Sequence, residues 1–134
     1  MAYKGYLIKV GDYKIPLSWM RADTYTVLKS GQDLDPYRDA DGVLHRNALE
    51  HTIAKVEFET PPLKNNTEMA AFMKNIQSNY TNKTEKKVSA TVYIAEDDDY
   101  TTQDMYVPDI SFSMYSANEK EIKYKATRIA FIAY

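Results

Sequence analysis

Apolar and polar residues alternate with a period of two through most of this chain, and this alternation restricts its fold more than any other feature. The clearest stretch is Lys87 to Ala95, whose apolar face carries Val88, Ala90, Val92 and Ile94. Side chains of a β-strand point alternately to its two faces, so the pattern predicts a half-buried strand. Similar patterns predict strands over Lys4–Val10, Tyr13–Leu17, Thr24–Leu28, His51–Thr60, Ile110–Tyr115 and Ile122–Tyr134.

One segment has helical spacing instead. Apolar residues from Thr67 to Tyr80 recur every three or four positions, which predicts an amphipathic helix over about these residues. Thr67 is the predicted N-cap, because its hydroxyl can accept hydrogen bonds from the free amides of a first turn. The apolar stripe, which needs a sheet to cover, consists of Met69, Phe72, Met73, Ile76 and Tyr80.

The number and order of these segments predict the fold class. A chain of 134 residues is long enough for one hydrophobic core and too short for two. The sequence therefore predicts a single α+β domain over residues 1–134. Its expected architecture is a mainly antiparallel β-sandwich or barrel with one flanking amphipathic α-helix at about 67–80.

The segment from about 31 to 49 is predicted to protrude from this domain as an arm. Asp41-Gly42 is a turn-forming dipeptide near its middle. Arg38 and Arg46 lie on either side of the turn, where they can pair with the neighbouring carboxylates. These features favour an ordered or semi-ordered hairpin.

Several kinds of chemistry are excluded by the residue types present. The chain has no Cys, which rules out disulfides, thiolate metal sites and cysteine nucleophiles. His45 and His51 lack an accompanying nucleophile motif. A calcium loop around Gly42 fails, because its register places Tyr37 and Ala48 at the strong ligand positions. We therefore predict a non-enzymatic protein without catalytic residues, metal site or cofactor.

Charge and hydropathy restrict the partners. The net charge is −2, which argues against tight nucleic-acid binding. The longest apolar run, Ile129–Tyr134, is far shorter than the roughly 20 residues that a membrane-spanning helix needs. The first ten residues lack the apolar stretch of a signal peptide. These observations predict a soluble protein made in the cytoplasm, with no membrane partner.

Tyrosine is the most unusual component, with 12 residues against 4 Phe and 1 Trp. Tyr93 and Tyr115 fall on the polar faces of their predicted strands, and partly exposed tyrosine suits protein interfaces. Two alternatives stay open. The same residues beside Lys87, Lys123 and Lys125 would form a Tyr/Lys-bearing sheet face that binds single-stranded nucleic acid. They are also consistent with an ordinary sheet surface.

The segment from Arg38 to Arg46 (RDADGVLHR), followed by the strand that ends in VEFETP at 56–61, carries a resemblance. It resembles small proteins encoded among the tail genes of siphophages and of prophages of Gram-positive bacteria. Those proteins are similar in outline to the tail tube and distal tail superfamily. Its fold is a β-barrel or sandwich with one flanking helix that packs into a ring, usually of six subunits.

This resemblance implies a structural or assembly role in a phage tail. The implied partners are further copies of the chain in a ring, which would be a hexamer by analogy, and other tail proteins. Such a protein would be made in the bacterial host cytoplasm and reside in the tail of the virion. We expect unpaired strand edges to meet neighbouring subunits. The expected interface residues are Tyr37, Arg38, His45 and Arg46 on the arm, with Tyr93 and Tyr115 on the sheets.

Overall fold

A computed structural model describes residues 3–134 of the chain, in which twelve strands and one α-helix occur. Antiparallel strands dominate, as the alternation predicts. The strands are β1 (Ile8–Val10), β2 (Tyr13–Lys14), β3 (Thr26–Asp33), β4 (Tyr37–Arg38), β5 (Leu44–His45), β6 (Ala48–Glu59), β7 (Lys64–Asn65), β8 (Lys87–Ile94), β9 (Asp99–Tyr106), β10 (Met114–Ala117), β11 (Ile122–Tyr124) and β12 (Arg128–Ala133). The helix α1 spans Asn66–Gln77.

Seven strands form one open antiparallel sheet in the order β2-β1-β8-β9-β12-β6-β3. The barrel alternative is therefore wrong. The sheet curls so that β3 approaches the end of β8, but side chains make the connection: Tyr25 Oη donates to the carbonyl of Tyr93 (2.9 Å), and Lys29 Nζ lies 2.7 Å from Asp97 Oδ2. Since no backbone ladder joins β3 to β8 within residues 3–134, β2 and β3 remain sheet edges. A small second sheet has the order β10-β11-β7, which gives the molecule a sandwich-like character.

The hydrophobic core lies between the seven-stranded sheet and α1. The sheet contributes alternate residues of its central strands, as the period of two requires. On the helix, Met69, Phe72 and Ile76 are buried. Trp19 packs flat against Phe72, with ring centroids 4.2 Å apart. The largest fully buried side chains are Phe58, Phe131, Ile8, Ile15, Ile76, Ile94, Met105, Ile129, Val10, Val56, Val88 and Val92.

The ends of the helix differ from the prediction. Asn65, and not Thr67, is the N-cap: its Oδ1 accepts a hydrogen bond from the amide of Glu68 (2.8 Å), and the Glu68 carboxylate accepts one from the amide of Asn65 (3.4 Å). This reciprocal pair is a capping box, which satisfies two amides rather than one. The helix ends at Gln77, and the predicted last residues form a turn up to Tyr80.

Strand prediction was right where one face is buried and wrong in the C-terminal part of the chain. The Gly11-Asp12 hairpin, β6 and β8 form as expected. Residues 107–113 belong to no strand or helix, so the predicted strand over Ile110–Tyr115 is wrong except for its end, which is part of β10. The predicted last strand is split between the two sheets, as β11 and β12. The polar strand β9 was not predicted at all.

The hairpin of β3 and β6 continues beyond the sheet. After a bulge at Gly31, the two strands pair again up to Asp33 and Ala48, and β4 and β5 form a further short hairpin between them. Every residue from 33 to 51 is exposed. We call residues 31–49 the arm. No helix in the described part of the chain is long and apolar enough to cross a membrane.

Candidate assembly surface

Asp39 organises the tip of the arm. Its Oδ1 accepts hydrogen bonds from the amides of Asp41 (2.9 Å) and Val43 (3.1 Å), and its Oδ2 lies 2.8 Å from Nε2 of His45. The hydrogen bond to His45, helped by the one from the Val43 amide, holds the pKa of the Asp39 carboxyl below its usual value. Gly42, with φ of +82°, provides the left-handed conformation that the turn requires.

The four predicted arm residues are largely engaged within the arm itself. Tyr37 stacks on His45, with ring centroids 4.8 Å apart and planes 7° apart. Arg38 donates to the carbonyl of Gly42 (2.9 Å). Arg46 binds both carboxylate oxygens of Asp33 at 3.0 Å, a bidentate contact that raises the pKa of its guanidinium. These contacts make the arm an ordered element rather than a flexible loop.

Exposed apolar side chains are a second feature of the arm, and only Tyr37 among them has a stacking partner. Five of the large hydrophobic residues that the structure exposes belong to it: Leu34, Tyr37, Val43, Leu44 and Leu49. Sequence reasoning missed the aliphatic members because it concentrated on charge and aromaticity. The available signal was the apolar pair Val43-Leu44 directly after the Asp41-Gly42 turn, where a solvated hairpin would carry polar residues.

Tyr93 is occupied by contacts within the domain. Its hydroxyl donates to Oδ1 of Asp98 (2.6 Å), which raises the pKa of the phenol. Its ring meets those of Tyr3 and Tyr100 edge-on, with centroids 5.9 and 5.5 Å away. Tyr93 therefore holds the β8–β9 hairpin, and its interface role stays a prediction.

Tyr115 lies in another sheet from Tyr93. It is 65% exposed on β10, beside the exposed Phe112 and Met114. Lys87, another residue of the expected nucleic-acid face, lies on β8. Its Nζ is over the ring of Tyr134, 5.0 Å from the ring centroid. One sheet face that carries both tyrosines is thus not formed, and Tyr115 is exposed on the small second sheet.

The edge of β3 carries unpaired backbone groups. The amide of Ala54 in β6 donates to Oε1 of Gln103 in β9. This amide therefore points away from β3. Because consecutive residues of a strand direct their amides to opposite sides, Lys55 faces β3, where it pairs with Leu28. Val27 and Lys29 therefore direct their amides to the free edge. Such an edge is able to pair with another strand.

The two histidines lie in unrelated contacts. His45 binds Asp39 in the arm, and Nε2 of His51 is 2.8 Å from the carbonyl of Tyr134. Between residues 3 and 134, no group of three or more His, Asp or Glu side chains is placed to hold a metal ion.

Comparisons with known proteins bear on the family and the fold. Residues 1–134 match the "Family of unknown function (DUF6711)". The chain belongs to this family. No curated protein sequence matches this DUF6711 chain. Among solved structures, it is similar to a chain from the tail of an empty gene transfer agent particle refined with C6 symmetry, at a TM-score of 0.50 and 15% identity. The match covers 99% of this chain and 95% of the other.

Two further structures are less similar. One is the sheath–tube complex of an extracellular contractile injection system in its extended state, with a TM-score of 0.46, 16% identity, and 100% and 88% of the two chains covered. The other is the virion of a native gene transfer agent, with a TM-score of 0.46, 15% identity, and 99% and 97% covered. At these identities the likeness concerns the fold. The siphophage origin and the Gram-positive host stay predictions.

Proposed function

We propose that this chain is a non-enzymatic structural or assembly protein of a phage or prophage tail, built into a ring of identical subunits. The observation that carries the proposal is the ordered arm with its exposed apolar side chains. An exposed apolar surface on a rigid element costs solvation free energy in an isolated molecule, which burial against a partner recovers.

The free edge of β3 and the exposed side chain of Tyr115 on β10 would add two further contacts. Strand edges pair with edges of other chains unless something blocks them. A surface that meets a different surface of the next copy generates a ring when the rotation closes. The fold similarity to a gene transfer agent tail with C6 symmetry supports a ring of six. Tyr37, Arg38, His45 and Arg46 would lie in or beside the arm contact, and Tyr115 in the contact of β10.

Self-association of the purified chain tests this function. We expect sedimentation velocity to show a concentration-dependent ring or ring stack, visible by negative-stain electron microscopy. A chain that stays monomeric at every accessible concentration would contradict the proposal.

A charge placed on the β10 surface tests the role of Tyr115. We expect Tyr115→Lys to weaken self-association by about tenfold, because it puts a desolvated charge into an apolar contact. The matched control is Leu17→Lys, which replaces a residue that is 46% exposed in a different element, the 3-10 turn Leu17–Trp19. An equal effect of both variants would remove β10 from the interface.

A further inference from the structure

A groove runs along one flank of α1. Its volume is about 800 Å³. One wall is formed by Ala70, Met73 and Gln77, which lie on one helix face because they are three and four residues apart. Ile110 and Phe112 of segment 107–113 also line the groove. We call this feature the helix groove. Segment 107–113 joins no ladder, and Phe112 is 39% exposed.

The rim of the helix groove is basic. Three lysines line it, Lys74, Lys83 and Lys86, and no carboxylate does. Lys86 forms a salt bridge with Asp109 (3.0 Å). Among the ion pairs of residues 3–134, none involves Lys74 or Lys83. The groove thus combines an apolar floor with two lysines that are available to an acidic partner.

The arm has the complementary composition. It holds four aspartates against two arginines. Asp33 pairs with Arg46, and Arg38 donates to the carbonyl of Gly42 rather than to a carboxylate. The arm therefore keeps a net negative charge, and no ion pair of residues 3–134 involves Asp35 or Asp41. Asp41 stands next to the exposed apolar tip of the arm. An apolar tip beside a free carboxylate matches an apolar groove beside free lysines.

The arm does not use the groove of its own chain. Every residue from 33 to 51 is exposed, so the domain that carries the arm leaves its apolar side chains uncovered. We propose that the arm of one copy docks in the helix groove of a second copy, with Val43 and Leu44 entering between α1 and segment 107–113. Asp35 and Asp41 then face Lys74 and Lys83. This inference rests on the self-association proposed above.

The geometry of this contact determines the kind of assembly. The arm and the helix groove are different surfaces, so every copy retains one free arm and one free groove after the first contact. Such a head-to-tail contact is heterologous, and it continues until the ring closes. The contact therefore accounts for a ring rather than a simple dimer.

Cross-linking between two single-cysteine variants tests the contact, and the absence of Cys from the chain makes each new thiol unique. Leu44→Cys and Met73→Cys copies are mixed and treated with a short bismaleimide. We expect a cross-linked heterodimer whose linked peptides contain positions 44 and 73. The control mixes Leu44→Cys with Leu17→Cys, which should give at least about tenfold less of the linked product.

Charge reversal provides an independent readout. Asp41→Lys and Lys83→Glu are each expected to weaken self-association about tenfold, and combining both in one chain should restore it. Normal self-association without the 44–73 cross-link, or without recovery in the double variant, would overturn the groove as the arm's site and leave the proposed function standing. Absence of self-association in the unmodified chain would overturn both.

Discussion

At the scale of single residues, Asp39 explains why an exposed arm is ordered. One carboxylate accepts bonds from two amides and contacts His45, so the turn has a fixed conformation without any core beneath it. The stacking of Tyr37 on His45 extends this order along the arm. Assembly then costs little conformational entropy, because the docking element is already folded.

The pH dependence of the arm follows from this carboxyl. Its pKa is lowered in the folded arm, so its contribution to the order of the arm is complete above the unfolded value of about 3.9 and is lost as the pH falls through the lowered pKa. We expect His45→Ala to raise the pKa of Asp39, measured by carbon-13 NMR of the carboxyl. His51→Ala is the control and should leave that pKa unchanged.

Gly11 is a second residue whose identity is set by geometry. It has φ of +60°, and a Cβ there would lie 2.4 Å from Oδ1 of Asn79. The left-handed conformation alone costs another residue about 1–2 kcal/mol. We therefore expect Gly11→Ala to lower the free energy of urea unfolding by more than that.

Gly5→Ala is the matched control for this prediction. Gly5 also has a positive φ, +88°, but nothing lies within 4 Å of its added Cβ. An equally large decrease in the free energy of unfolding of both variants would show that the contact with Asn79 does not contribute.

At the scale of elements, the N-cap of α1 is a point on which the structure and the sequence-based expectation differ: Asn65 caps the helix, whereas Thr67 was expected to. Asn65→Ala removes the capping box and should cost about 1 kcal/mol of stability. Thr67→Ala, at the residue first expected to cap the helix, should change stability by less than about 0.5 kcal/mol. Thermal and urea unfolding measure both. A larger loss of stability in Thr67→Ala than in Asn65→Ala would identify Thr67 as the N-cap.

Elements with one buried face could be predicted from the sequence, and the others could not. The alternation in β6 and β8 records burial directly, with Val56 and Val92 fully buried. β9 has polar residues on most positions, because its pairing with the full length of β8 requires backbone groups rather than apolar side chains. In contrast, Ile110 and Phe112 alternate like a strand but line the helix groove.

The assembly surface could also be predicted only in part, because local turns follow from the sequence and long-range packing does not. The turn at Asp41-Gly42 and the contacts of Arg46 follow from local residue types, so the arm could be expected as an ordered or semi-ordered hairpin. The helix groove depends on how segment 107–113 crosses α1, which is a long-range packing event without a local signal. The barrel alternative was wrong because closure of the sheet is also a long-range packing event: it depends on the distance between β3 and β8.

At the scale of the whole molecule, the exposed apolar residues are unevenly distributed. The arm and the neighbourhood of β10 carry most of them, and the β3 edge adds unpaired amides. The arm and the β3 edge belong to the β3–β6 hairpin, whereas β10 belongs to the small second sheet. A subunit with several neighbours requires such separate surfaces. This distribution of exposed apolar residues fits a subunit that repeats in a larger assembly.

The most direct test of that account shortens the arm. The amide of Leu34 donates to the carbonyl of Asn47 across the hairpin (2.9 Å), so residues 35–46 can be replaced by Asn-Gly, a dipeptide that closes a two-residue hairpin. Circular dichroism and thermal unfolding should show a folded domain of nearly unchanged stability. In sedimentation velocity we predict that the full chain forms rings and that the shortened chain is monomeric. Rings that persist in the folded, shortened chain would contradict the central claim that copies join through the arm.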